Sequence, residues 1–163
     1  MTEEYAEKLS AGSEYQDFVQ KQLLQHGIIV MLNSSKSYQA KIGESLSGLE
    51  IKLDRQIRKY NNLYIEVAEK SDKYNPFYVE SGIYRHDNTW LYCIGDYHEL
   101  FLIPKKQLQI IHQSITSGSN WYVAKGIEMK QTATSKGMAI PVDYAMSFLV
   151  IKHIVFDEEG EKE

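Results

Sequence analysis

Two segments in the first half of the chain alternate strictly between apolar and polar residues, which is the pattern of a half-buried β-strand. In 49–54, leucine and isoleucine take every second position, and charged residues lie between them. In 63–68, leucine, isoleucine and valine alternate in the same way with polar or small residues. The alternation predicts two strands, each with one buried face, and the polar connection at 55–62 lets them pair as a hairpin.

The remaining elements follow from capping and turn signals. Ser13 is a suitable N-cap and Gly27 a suitable C-terminal stop for a helix, and Pro104 is a suitable first residue for another. The predicted elements are a helix over 13–26, strands over 28–32, 89–94 and 100–103, and a helix over 104–116. Their order predicts an α/β or α+β fold with a central mixed β-sheet flanked by helices.

The size of the chain predicts one domain over 1–163, since 163 residues with 43% hydrophobic content can bury a core. The net charge of −4 is concentrated at the two ends. We expect the acidic segments 1–8 and 157–163 to be solvated and flexible. The body between them is weakly positive, which neither requires nor forbids a nucleic-acid partner.

The composition also bears on the compartment. No run of about 20 apolar residues is present, so we expect no membrane-spanning helix. The acidic N-terminal segment lacks the apolar stretch of a secretory signal. The single cysteine, Cys93, forms no internal disulfide. These features predict a cytoplasmic protein with no membrane partner.

The charged positions of the two alternating strands carry the candidate chemistry. If the strands pair, one face brings Glu50, Lys52 and Asp54 next to Glu66. Carboxylates that crowd together repel each other unless a divalent cation neutralises them. Oxygen ligands suit Mg²⁺ or Mn²⁺, and a lysine beside such an ion orients or deprotonates a water. The cluster therefore predicts metal-assisted hydrolysis of a phosphodiester.

The same pattern has a simpler interpretation. Alternating charged and apolar residues are also typical of a half-exposed antiparallel hairpin. Its charged side chains then form cross-strand ion pairs in water, each of little energetic value. The pattern alone leaves both interpretations open.

The segment 13–70 resembles the PD-(D/E)xK nuclease superfamily, in which a helix bears a glutamate, one strand ends in an acid, and the next carries (D/E)xK. Glu14 matches the helix glutamate, Asp54 the first acid and Glu66 the second, twelve residues later. The later segment 81–105 is similar to phage- and mobile-element-type members.

The chain departs from the family pattern at the lysine. Ala68 stands two residues after Glu66, where the motif has lysine. Lys52, two residues before Asp54, is the best substitute, and Lys70 is the second choice.

The resemblance implies a restriction-endonuclease-like core and a Mg²⁺- or Mn²⁺-dependent nuclease that hydrolyses DNA. Asp54, Glu66 and Glu14 would be the metal ligands. Lys52 and Glu50 would be catalytic, with Lys52 positioning the attacking water. Cutting of duplex DNA implies a homodimer. The alternatives are a catalytically inactive module of this fold that binds nucleic acid or protein, and an α+β protein without a nucleic-acid role.

Overall fold

The computed structural model describes residues 3–33 and 35–156. This part of the chain combines helices and strands, which confirms the predicted mixed α/β class. The helices are α1 (Glu3–Gln25), α2 (Lys36–Lys41), α3 (Ile57–Tyr60), α4 (Lys105–Thr116) and α5 (Val142–Phe148). The strands are β1 (Leu49–Leu53), β2 (Asn62–Glu69), β3 (Val79–Glu80), β4 (Leu91–Gly95), β5 (Glu99–Pro104), β6 (Glu128–Gln131), β7 (Ser135–Pro141) and β8 (Lys152–Val155).

The strands form two four-stranded sheets instead of the single central sheet that the sequence predicts. The first sheet has the order β1-β4-β5-β8 and is mixed, because β1 runs parallel to β4 while the other pairs are antiparallel. The second sheet has the order β3-β2-β7-β6 and is antiparallel throughout. The secondary structure of the described residues is thus that of an α+β protein.

The predicted hairpin between β1 and β2 is wrong, because these strands belong to different sheets. β4 is buried at all five positions, so the backbone groups on both of its edges need partners within the sheet. β5 pairs with one edge and β1 with the other. The short helix α3 and the left-handed Asn61 (φ 52°) lie between β1 and β2, and β2 then pairs with β7.

The core has two parts, one on each face of the first sheet. On one face, α1 packs Tyr15, Val19 and Leu23 against the sheet. The other face packs against the second sheet, α4 and α5. Both faces of β4 and β5 are therefore covered, which explains their almost continuous apolar sequences.

Several local predictions are confirmed. β4 and β5 form the predicted antiparallel hairpin around Gly95 and Asp96. Helix α4 ends at Thr116 as predicted and begins at Lys105, one residue later than predicted, because Pro104 is its N-cap and not its first residue. Gly27 has a φ of +75°, which suits a residue that ends a helix.

Other local predictions are wrong. Helix α1 begins at Glu3, so Ser13 lies inside it and does not cap it. Segment 28–32 forms one isolated β-bridge, between Leu32 and Ser45, and the amide of Leu46 donates to the carbonyl oxygen of Met31. Its neighbour is thus a short irregular segment and not another strand. The acidic segment 157–163 lies outside the described residues. None of the described helices has the length and hydropathy needed to cross a bilayer.

Candidate functional site

A cleft of about 1330 Å³ opens between the C-terminal end of β1, the face of β2 turned away from the core, and α1. Three predicted site residues, Lys52, Asp54 and Glu66, line it although their strands lie in different sheets. The cleft is also lined by charged and polar residues that the prediction of the site missed, among them Arg85, Tyr64 and Glu44. The cleft therefore gathers carboxylates and cations from both sheets.

Glu50 and Lys52 form a close ion pair beside the cleft. Lys52 Nζ lies 2.6 Å from Glu50 Oε1, and Arg85 Nη1 lies 3.9 Å from the same oxygen. The Glu50 side chain is fully buried (0% exposed), whereas those of Lys52 and Arg85 are 39% and 35% exposed. A buried carboxylate needs such compensation, because an isolated charge in the interior is strongly destabilising.

The charge state of Lys52 follows from its neighbours. Burial lowers the pKa of its ammonium group, but the negative charges of Glu50 and Glu44 and the hydrogen bond to Glu50 outweigh burial, so the pKa is raised. Lys52 is therefore protonated at neutral pH. It can neutralise or position an anionic group, but it does not serve as a base.

Asp54 follows β1 directly and fixes the connection to β2. Its Oδ1 accepts a hydrogen bond from the backbone amide of Gln56 (2.9 Å), and its Oδ2 accepts one from the amide of Tyr64 (3.0 Å). Tyr64 precedes Glu66 by two residues, about 7 Å along the strand. Each carboxylate oxygen has more than one lone pair, so Asp54 keeps acceptor capacity toward the cleft.

Glu66 is held by hydroxyl groups. Its Oε1 accepts a hydrogen bond from Ser81 Oγ (2.7 Å), and its Oε2 accepts one from Ser135 Oγ (2.9 Å). The hydroxyl of Tyr64 lies 2.8 Å from Ser135 Oγ and extends this network. Burial raises the pKa of Tyr64, the Ser135 hydrogen bond opposes that shift, and the charge of Glu66 adds to it.

Two glycines let neighbouring chain segments approach the backbone around Glu66. Gly82 has a φ of +53°, and a Cβ there would lie 2.2 Å from the carbonyl oxygen of Glu66. A Cβ at Gly137 would lie 2.4 Å from the carbonyl oxygen of Ile65 and 2.7 Å from the Tyr64 ring. Both positions therefore require glycine, and the packing fixes the place of Glu66 in the cleft.

The other predicted site residues lie apart from this network. Glu14 is exposed on α1 and accepts a hydrogen bond from Ser10 Oγ (3.0 Å). Lys70 follows β2, and its Nζ donates to the carbonyl oxygen of Lys73 (3.2 Å). Neither is among the described residues that line the cleft.

The donor set of the cleft suits a hard cation only in part. Among the described residues, no group of three histidine, cysteine, aspartate or glutamate side chains has the geometry to hold a metal ion. Mg²⁺ is commonly bound by one or two carboxylates and keeps several waters. Asp54 and Glu66, each with spare oxygen lone pairs, fit that mode of binding.

The sequence did not reveal the hydroxyl groups that bind Glu66 or the arginine near Glu50. Ser81, Ser135 and Arg85 come from three separate segments, and none of them belongs to a spaced motif. Only the three-dimensional fold brings them to Lys52 and Glu66.

Comparison of the chain with family models, with curated proteins and with solved structures finds no match.

Proposed function

We propose that this protein is a Mg²⁺-dependent nuclease with a restriction-endonuclease-like core that hydrolyses DNA phosphodiester bonds in the cleft between β1 and β2. The observation that carries the proposal is that one cleft is lined by several carboxylates, among them Asp54 and Glu66, and by several cations, among them Lys52 and Arg85. This combination suits a reaction in which a divalent ion and positive side chains act on an anionic phosphate.

Each residue has a role that its surroundings support. Asp54 and Glu66 would hold the divalent ion, which stabilises negative charge on the phosphoryl oxygens when it is bound. Lys52, protonated at neutral pH, would hold a phosphate oxygen and the attacking water in line by its charge and its donors. Arg85 presents a planar set of donors that matches a phosphate group. Cutting both strands of a duplex would require a homodimer, in which each cleft acts on one strand.

A second candidate function is a catalytically inactive module that binds nucleic acid or protein through the same cleft. Three contacts favour it. Lys52 is already paired with Glu50 at 2.6 Å, and both carboxylate oxygens of Asp54 accept hydrogen bonds from backbone amides. In such a module, Arg85 and Lys52 would bind phosphates without cleavage.

The test measures cleavage of supercoiled plasmid and linear DNA with Mg²⁺, Mn²⁺ or EDTA. We expect the wild-type protein to cut only with a divalent ion, and Glu66→Gln and Asp54→Asn to lower the rate at least about 100-fold. The matched control is Glu69→Gln, an exposed glutamate near the end of the same strand, which should keep full activity.

Binding of the ion is measured separately. We expect Mn²⁺ to raise the melting temperature of the wild-type protein but not that of Glu66→Gln. DNA binding without cleavage would support the inactive module instead. A melting temperature that responds to no divalent ion, together with no cleavage, would overturn the proposed nuclease.

A further inference from the structure

The loop between β2 and β3 holds two highly exposed aromatic rings. Tyr74 is 83% exposed and Phe77 is 74% exposed. The backbone of the loop is fixed by side chains: Asp72 Oδ1 accepts hydrogen bonds from the amides of Tyr74 (2.7 Å) and Asn75 (3.1 Å). Asn75 Oδ1 in turn accepts one from the amide of Phe77 (3.0 Å). The rings are thus presented to solvent by an ordered turn.

Three lysines lie over aromatic rings of this surface. Lys73 Nζ is 5.0 Å from the centre of the Tyr74 ring. Lys70 Nζ and Lys136 Nζ are 4.9 Å and 4.2 Å from the centre of the Tyr78 ring. Within the described ranges, none of these lysines forms an ion pair with a carboxylate. The surface therefore combines exposed ring faces with positive charges that lack an anionic partner.

We propose that this surface, formed by Lys70, Lys73, Tyr74, Phe77, Tyr78 and Lys136, binds single-stranded nucleic acid. Every base has a π-face that stacks on an exposed aromatic ring, and the lysines attract the phosphates between successive bases. In a duplex the bases are stacked on each other and their faces are unavailable. The surface therefore favours a single strand and tolerates different sequences.

The surface is continuous with the cleft. The hydroxyl of Tyr78 donates a hydrogen bond to the carbonyl oxygen of Thr132 (3.2 Å), and Thr132 lines the cleft together with Lys130. A strand stacked on Tyr74 and Phe77 can therefore extend toward Glu66. Its role as a guide for the substrate rests on the proposed nuclease function, whereas binding to the surface does not.

The test measures fluorescence anisotropy of a labelled oligothymidylate of about 16 nucleotides, and of a duplex of the same length, in EDTA. We expect the single strand to bind more tightly than the duplex. The Tyr74→Ala/Phe77→Ala double variant should weaken binding at least about tenfold. The matched control is Phe148→Ala, which removes an exposed ring from α5 and should leave binding unchanged.

The lysines are tested by the salt dependence of the same binding. Lys136→Gln should weaken binding and make the dependence on salt concentration shallower, because one phosphate contact is lost. Equal affinity of the wild type and the double variant, tighter binding of the duplex, or no binding at all would overturn the proposal. The last result would point to a protein partner for the rings.

The two proposals fail separately. Because EDTA removes divalent ions, binding is measured in the absence of cleavage. If the protein binds the single strand through Tyr74 and Phe77 but never cuts DNA, the proposed binding surface is supported and the proposed nuclease function is contradicted. If the protein cuts DNA but the variant without the two rings binds equally well, the nuclease function is supported and the proposed binding surface is contradicted.

Discussion

Glu50 and Glu66 are both glutamates on sheet strands beside the cleft, and the protein compensates their charges in opposite ways. Glu50 is fully buried and its oxygen faces the ammonium group of Lys52 at 2.6 Å. Glu66 is half-buried, lines the cleft, and accepts hydrogen bonds from two neutral hydroxyls, those of Ser81 and Ser135. The charge of Glu50 is compensated by an opposite charge, and the charge of Glu66 is stabilised by the dipoles of two hydroxyl groups.

The difference decides what each carboxylate can still do. An ion pair cancels the net charge of Glu50, which leaves it little attraction for a further cation. The hydrogen bonds to Glu66 come from neutral hydroxyls, so they do not cancel the charge of its carboxylate. Glu66 therefore presents a net negative charge to the cleft, where a metal ion can reach it. Glu50 is better explained as a structural partner that orients Lys52.

The largest expected effect comes from removing the partner of Glu50. Lys52→Met leaves the buried carboxylate with Arg85, at 3.9 Å, as its one remaining cationic partner among the described residues, and should lower the free energy of unfolding by about 3 kcal/mol. The measurement is urea unfolding followed by circular dichroism.

The matched variants sharpen the comparison between the two glutamates. The double variant Glu50→Met/Lys52→Met removes both charges and should recover most of the lost stability, because an apolar pair of similar size replaces the ion pair. Glu66→Gln should cost only about 1 kcal/mol, since the two serine hydroxyls can reorient toward the amide. If Lys52→Met costs no more than Glu66→Gln, the two carboxylates do not differ in the way argued above.

The next largest effect concerns the backbone that holds Glu66. Gly82→Ala puts a methyl group 2.2 Å from the carbonyl oxygen of Glu66 and strains a left-handed residue, so we expect a loss of at least about 2 kcal/mol. Gly118→Ala is the control: its φ is +90°, but a Cβ there has nothing within 4 Å, so only strain of about 1 kcal/mol applies. Thermal and urea unfolding measure both.

Equal losses in the two alanine variants would mean that the close approach of Gly82 to Glu66 has no energetic weight. If the approach does position Glu66, Gly82→Ala should also reduce the Mn²⁺-dependent rise in melting temperature, whereas Gly118→Ala should not. This second measurement separates the positioning of Glu66 from general destabilisation.

The parts of the fold that were predictable from sequence are the ones with local signals. The hairpin of β4 and β5 has a turn at Gly95 and Asp96, and α4 follows Pro104 directly. The pairing of β1 with β4 was not predictable, because alternation tells which face of a strand is buried but not which strand lies beside it. The two partners are also separated by the whole of β2 and β3.

The site was predictable to a similar extent. Lys52, Asp54 and Glu66 line one cleft even though the hairpin that was expected to join them is wrong. They meet because Asp54 binds the amide of Tyr64 and so ties the end of β1 to β2. The serines that hold Glu66 were not predictable, since a hydroxyl donor leaves no pattern in a sequence.

The smallest expected effect is a loss of stability at alkaline pH that comes from Tyr92, which lies beside Glu50. Burial, and then the negative charge of Glu50, raise the pKa of Tyr92 above its ordinary value. An unfolded tyrosine loses its proton near about pH 10, whereas Tyr92 keeps its proton in the folded state. The contribution of this group to stability is therefore complete below about pH 10 and falls as the pH rises above it.

Tyr92→Phe tests this directly. We compare the free energy of unfolding of the two proteins at about pH 7 to obtain their constant difference, and then at about pH 9 and about pH 11. Between the last two, the wild type should lose about 1 kcal/mol more than the variant. Lys52, whose pKa is also raised, contributes to the alkaline loss in both proteins alike. If the free energy of unfolding falls equally in the two proteins, burial and the charge of Glu50 do not keep Tyr92 protonated. The difference between Glu50 and Glu66 would then be supported only by the Lys52 variants.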